Sequence, residues 1–133
     1  MDKILLCQTA IKAQKNSYSP YSGCRVGAAL LCKNGKIYTG CNIENASFSP
    51  TICAERTAFV KAVSEGDTDF EAIAIAGKKG DVSAPFSPCG VCRQVMSEFC
   101  GVDFKILVVT SNDAFIEYNL GELLPNSFDL KEE

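Results

Sequence analysis

Thr51-Ile52-Cys53-Ala54-Glu55-Arg56 places a cysteine and an acid two residues apart, and Ser87-Pro88-Cys89-Gly90-Val91-Cys92 answers it downstream. Each stretch stands where a loop gives way to a helical pattern. After the first, Ile52, Ala58, Phe59, Ala62 and Val63 supply an apolar helical face running to about Glu65. Thr51 is the expected cap and Gly66 the expected stop. After the second, Pro88 suits the first turn of a helix from Cys89 to about Phe99. Between and beyond them lie short apolar runs of strand length, Phe70–Ala76 and Lys105–Thr110. The first of these is dense in Ile and Ala and is expected to be covered on both faces.

The remaining elements follow outward. Asp2 to about Asn16 reads as a helix capped by Asp2, with apolar residues at Ile4, Leu5, Ala10, Ile11 and Ala13. Ser17–Gly23 is a loop. Val26–Cys32 and Ile37–Ile43 flank Asn34-Gly35, a strong hairpin signal. Glu44–Pro50 and Gly77–Ser87 read as loops. Ser111-Asn112-Asp113 is too short a link for anything but an antiparallel fifth strand, Ala114–Tyr118. Leu120–Leu124 is a turn or short helical piece, and the tail Lys131-Glu132-Glu133 is expected to fray. Helices must cover both faces of a largely apolar sheet. The expected fold is therefore α/β, a three-layer α/β/α sandwich on a five-stranded mixed sheet, forming one domain over residues 1–133.

Composition narrows the chemistry. The 133 residues carry a net charge of -3 with no Lys/Arg-dense stripe, so the electrostatic footprint of a nucleic-acid binder is missing. Met1–Leu6 is too polar to lead a signal peptide, and no apolar run is long enough to span a membrane. A cytoplasmic protein is expected, in which eight cysteines serve metal binding or burial before disulfides. Cys7, Cys32, Cys41 and Cys100 read as packing. The chain contains no His, which excludes Ser-His-Asp and Cys-His catalysis.

A structural zinc site closes itself with four protein ligands, whereas a catalytic one keeps three and leaves a position open. Cys53, Cys89 and Cys92 are read as the three ligands of one zinc per subunit. Glu55 is read as the proton carrier beside a zinc-bound water. Arg56 is placed to donate to a thiolate and offset the negative charge of the site. A plain Cys-x-x-Cys redox pair or a structural zinc module would have no use for Glu55.

Cys53-Ala54-Glu55-Arg56-Thr57-Ala58 and Pro88-Cys89-Gly90-Val91-Cys92-Arg93-Gln94-Val95 closely resemble the cytidine deaminase family that acts on free nucleosides. So do Tyr18-Ser19-Pro20-Tyr21-Ser22, Val26–Leu30, Gly40–Ala46 and Leu123-Leu124-Pro125. The resemblance covers nearly the whole chain. It implies zinc-dependent hydrolytic deamination of cytidine and 2′-deoxycytidine. It implies Asn42 and Glu44 on the ribose 3′-hydroxyl, the Ala54 N–H on the pyrimidine ring oxygen, and the Ser87 carbonyl facing the leaving amino group. Ala46 and Phe48 fall on the same substrate-binding side. Phe128 matches an aromatic that packs on the ring from a neighbouring subunit of a homotetramer with shared active sites. Two positions depart from the pattern: Cys24 stands where Phe is usual, and Phe48 where Tyr is common. Another small aminopyrimidine nucleoside, a nucleoside antibiotic or a polynucleotide are the competing substrates. The acidic balance and short chain argue against the last.

Overall fold

A computed structural model describes residues 1–131. Helix α1 (Lys3–Ala13) is followed by a single 3₁₀ turn to Asn16. Strands β1 (Cys24–Cys32) and β2 (Ile37–Cys41) form the hairpin, then α2 (Ala54–Ser64), β3 (Phe70–Lys79) and β4 (Val82–Ala84). Helix α3 (Gly90–Phe99), β5 (Lys105–Ser111), β6 (Ala114–Asn119) and the one-turn α4 (Leu120–Leu123) complete the chain. The hairpin turn follows the Asn34-Gly35 signal, with Gly35 at φ +92° where an L side chain is strained. Glu132 and Glu133, part of the expected frayed tail, lie outside the described residues.

The sheet has strand order β2-β1-β3-β5-β6, with β3 and β5 parallel and the other neighbours antiparallel. It has six strands, not five. The sixth, β4, pairs only three residues with the end of β3 across a turn at Gly80. Val82 and Ser83 are exposed, so no buried alternation marks the strand in the sequence. The first helix of the metal motif is capped by Cys53 and not by Thr51, whose hydroxyl is taken up by the Asn45 amide at 3.0 Å.

Side-chain alternation builds the three layers. On β3, Ile73 and Ile75 pack with Phe59, Met96 and Cys92 of α2 and α3. Ala72, Ala74 and Ala76 face the other way and, being small, receive Leu6, Cys7 and Ala10 of α1. The expected burial of both faces holds. Burial pushes the Cys7 thiol up to about 11 and the Cys100 thiol to about 12, so both stay neutral.

Helix α2 rests directly on β2. A Cβ at Gly40 would stand 2.5 Å from the Ala54 carbonyl oxygen and 2.6 Å from the Ala58 amide, both backbone. Gly40→Ala must therefore lift the helix that starts at Cys53. A loss of about 1–3 kcal/mol in urea unfolding is expected. Gly101→Ala, with open space around it, serves as the control and should change little.

Candidate metal centre and active site

Both metal-motif helices begin at a cysteine. Cys53 is the N-cap of α2 and Cys89 the N-cap of α3, and neither sulfur makes a capping hydrogen bond. Helices α2 and α3 lie on the same face of the sheet, which brings the two N-termini together. Their first-turn N–H groups have no intrahelical partner and lend partial positive charge to the space between them.

Cys53 Sγ lies 3.9 Å from Cys89 Sγ, and Cys89 Sγ 3.5 Å from Cys92 Sγ. All three sulfurs fall within 4.8 Å of one another. A tetrahedral zinc with Zn–S bonds of about 2.3 Å holds its sulfurs about 3.8 Å apart. The cluster thus has the span and the soft donor set for one zinc per chain, with the fourth direction free of a fourth cysteine. Three thiolates on Zn²⁺ leave one net negative charge. Arg56 meets it with Nη2 at 3.6 Å from Cys53 Sγ, while its buried Nε finds no partner among the described residues. Hydrogen bonding from Cys92, aided by Arg56, brings the Cys53 thiol down to about 5. The same shared proton, with burial, pushes Cys92 up.

Glu55 follows in the first turn of α2, only 4% exposed. Burial is the main cause that pushes its carboxyl up to about 7, with a further rise from the negative charge of Cys53. Ala54, fully buried at the first helical position, keeps its N–H free of the helix ladder. Ser87 stands exposed two residues before Cys89.

Asn42 and Glu44 flank Ile43, which pairs with Ile52 through two 3.0 Å backbone hydrogen bonds. That bridge ties them to the residue preceding Cys53. Two residues apart on extended backbone, they share a side. Asn42 is buried. Its Oδ1 accepts from the Val26 amide at 2.9 Å and from the Ser17 hydroxyl, and its Nδ2 donates to the Cys24 carbonyl at 2.9 Å. One Nδ2 hydrogen is left over. Glu44 Oε1 accepts from the Tyr21 and Ser22 amides at 3.0 and 3.1 Å, and Oε2 from the Ser22 hydroxyl at 2.5 Å. The Ser22 hydroxyl chiefly holds this carboxyl below its ordinary range. One acceptor site remains on Oε2. An open hollow of about 240 Å³ runs along Tyr21, Ser22, Glu44, Phe48 and Thr51.

The aromatic and small loop residues are not drawn into the cysteine cluster's burial. Ala46 is exposed, Phe48 is 80% exposed and Phe128 67% exposed. Gln94 Nε2 donates to the Phe128 carbonyl at 3.2 Å, which seats the tail on α3 while its ring faces outward. Cys24, at the first departure, acts through its backbone: its carbonyl receives Asn42 and its amide donates to the Ser22 hydroxyl at 3.0 Å.

Sequence reasoning passed over the residues that brace the site. Ser17, Tyr21 and Ser22 fix Asn42 and Glu44 from a segment whose sequence reads simply as a loop. Arg93 donates to the Pro88 carbonyl, the Ser87 hydroxyl and the Leu123 carbonyl. Its one sequence signal was its place directly after Cys92.

Residues 2–109 match the family profile described as "Cytidine and deoxycytidylate deaminase zinc-binding region". The chain is 48% identical over 128 residues to a cytidine deaminase of Halalkalibacterium halodurans, covering 96% of this chain and 95% of that one. It is 46% identical to a cytidine deaminase of Sporosarcina psychrophila, covering 96% and 92%. The crystal structure of cytidine deaminase from Burkholderia pseudomallei superposes with a TM-score of 0.88 at 38% identity, covering 96% of this chain and all of that one.

Proposed function

The chain belongs to the cytidine and deoxycytidylate deaminase family, and from that premise we propose that it hydrolyses cytidine and 2′-deoxycytidine to the uridines, releasing ammonia. The observation that carries this reading is the juxtaposition of three cysteine sulfurs at two helix N-termini with the buried Glu55. Cys53, Cys89 and Cys92 would hold the zinc, which would supply Lewis-acid activation of a water as the nucleophile near neutral pH. Glu55 takes a proton from the attacking water and delivers it to N3, then takes the remaining proton of the oxygen added at C4 and delivers it to the amine, which leaves as ammonia. The Ala54 N–H donates to the 2-oxygen of the ring. The Ser87 carbonyl accepts from the 4-amino group. Asn42 and Glu44, with one donor and one acceptor left after bracing the loop, hold the 3′-hydroxyl; Ala46 and Phe48 complete that wall. Three thiolates must stay reduced to serve, which favours the cytoplasm, where the reaction would serve pyrimidine salvage.

The experiment is a substrate panel with ammonia and uridine measured together. Cytidine should be turned over with equal release of both. A hydrogen bond to a charged group contributes about 1.5–3 kcal/mol, so 3′-deoxycytidine should lose roughly tenfold to a hundredfold in kcat/KM, and free cytosine more. Equal efficiency on cytosine and cytidine would remove the sugar from the assignment.

We further propose a homotetramer with shared active sites. The outward ring of Phe128 supports it, as does the open hollow at Phe48, which one subunit leaves wet. Aromatic contacts contribute about 0.5–1.5 kcal/mol beyond area, so Phe128→Ala should cost roughly threefold to tenfold in activity and keep its zinc. Mixed with inactive Glu55→Ala subunits, it should regain activity above the sum of the two samples, because some sites then pair an intact Glu55 with an intact Phe128. No gain in verified mixed tetramers would assign Phe128 to its own subunit.

A further inference from the structure

Arg93 spends three nitrogens on three oxygens in two segments. Nε donates to the Pro88 carbonyl at 2.7 Å and Nη2 to the Ser87 hydroxyl at 3.1 Å. Nη1 donates to the Leu123 carbonyl at 2.7 Å. No carboxylate among the described residues pairs with it, so its fork is committed to neutral oxygens. The two segments differ in rigidity. Leu123 ends α4, which has a complete capping box between Asn119 and Glu122. That helix is anchored by buried Leu120, whose amide donates to the Phe104 carbonyl at 2.9 Å. Ser87 and Pro88, by contrast, take part in no backbone–backbone hydrogen bond among the described residues. Pro88 has no N–H to offer one.

The carbonyl of Ser87 belongs to the peptide between the two atoms that Arg93 grips on this loop. We propose that Arg93 is a positioning residue for the reaction: it pins the Ser87–Pro88 peptide to α4 and thereby aims the Ser87 carbonyl at the 4-amino group of the substrate. This rests on the reading of Ser87 given under Proposed function. A carbonyl at that place has a specific consequence. It accepts from the amino group of cytidine and repels the C4 oxygen of uridine, so it favours substrate over product. Releasing it should cost substrate recognition and leave product binding intact, a signature that loss of folding or of zinc does not produce.

The test compares Arg93→Ala and Arg93→Lys with the parent as zinc-loaded enzymes. Residues that orient a site's first ring of groups typically contribute 10–100-fold, so kcat/KM for cytidine should fall by about that factor in Arg93→Ala while the inhibition constant of uridine stays within about twofold or tightens. Millimolar guanidinium should restore part of the loss. Arg93→Lys keeps the charge and cannot bridge three acceptors, so it should share the skewed ratio. Should Arg93→Ala lose its zinc, the ratio is read on Arg93→Lys. Equal weakening of cytidine and uridine, or an unchanged kcat/KM in a zinc-loaded variant, would overturn the proposal while the parent's activity stands. A zinc-loaded parent inactive on cytidine would overturn the Ser87 reading and this one with it.

Discussion

Glu55→Gln is expected to bind zinc as the parent does and to lose turnover of cytidine by about 10²–10⁴-fold, the range that a positioned proton carrier contributes. The substitution keeps the size of the side chain and touches none of the three cysteines. It removes the one group in the site able to take a proton and give it back. Burial raises the carboxyl toward neutrality, where both forms are accessible, and an amide has no such second form. The neutral amide also sits more easily at a 4% exposed position than a carboxylate does, so the variant should be no less stable than the parent. Zinc content, melting temperature and ammonia release, measured on one preparation, check all three statements. Parent-like turnover would remove Glu55 from the mechanism.

Cys92→Ala should have a larger effect still. Cys92 is fully buried among α2, α3 and the sheet, and its sulfur is one of three. Two remaining thiolates leave the metal with too few protein ligands, and activity should fall to the background of the assay. Zinc binding is also folding free energy where the ligands come from separate elements. Cys92→Ala should therefore melt lower than the zinc-loaded parent and match the parent stripped by chelator more closely. Cys89→Ala should lose zinc and activity too, with a smaller direct packing cost because Cys89 is exposed at its helix cap. Retention of stoichiometric zinc by either variant would mean that the cluster is not the metal site.

What could be read from the chain was what repeats locally. The Ile and Ala alternation of β3 announced a strand covered on both sides, and the structure puts Ile73 and Ala74 against different helices. The spacing of Cys53, Cys89 and Cys92 announced a three-sulfur site because both motifs fall at helix starts. Strand β4 escaped because three residues, two of them exposed, carry no periodicity. Thr51 looked like a cap because capping residue types are also turn formers; its hydroxyl served the Asn45 amide and left the cap to Cys53. The braces of the site were hidden for a different reason. Arg93 reaches a partner 30 residues away, and Asn42 is held by Ser17 and Val26 from two other segments. Such contacts exist only once the sheet has assembled.

One zinc held at three sulfurs is what enables loss of ammonia from cytidine. Stripping the protein with a chelator and titrating zinc back while recording ammonia release tests that directly. Activity should be absent at the start, rise in proportion to added zinc and level off at about one zinc per chain, as three sulfurs gathered around a single position require. Full activity in the stripped protein, or activity indifferent to zinc bound at the cluster, would contradict it.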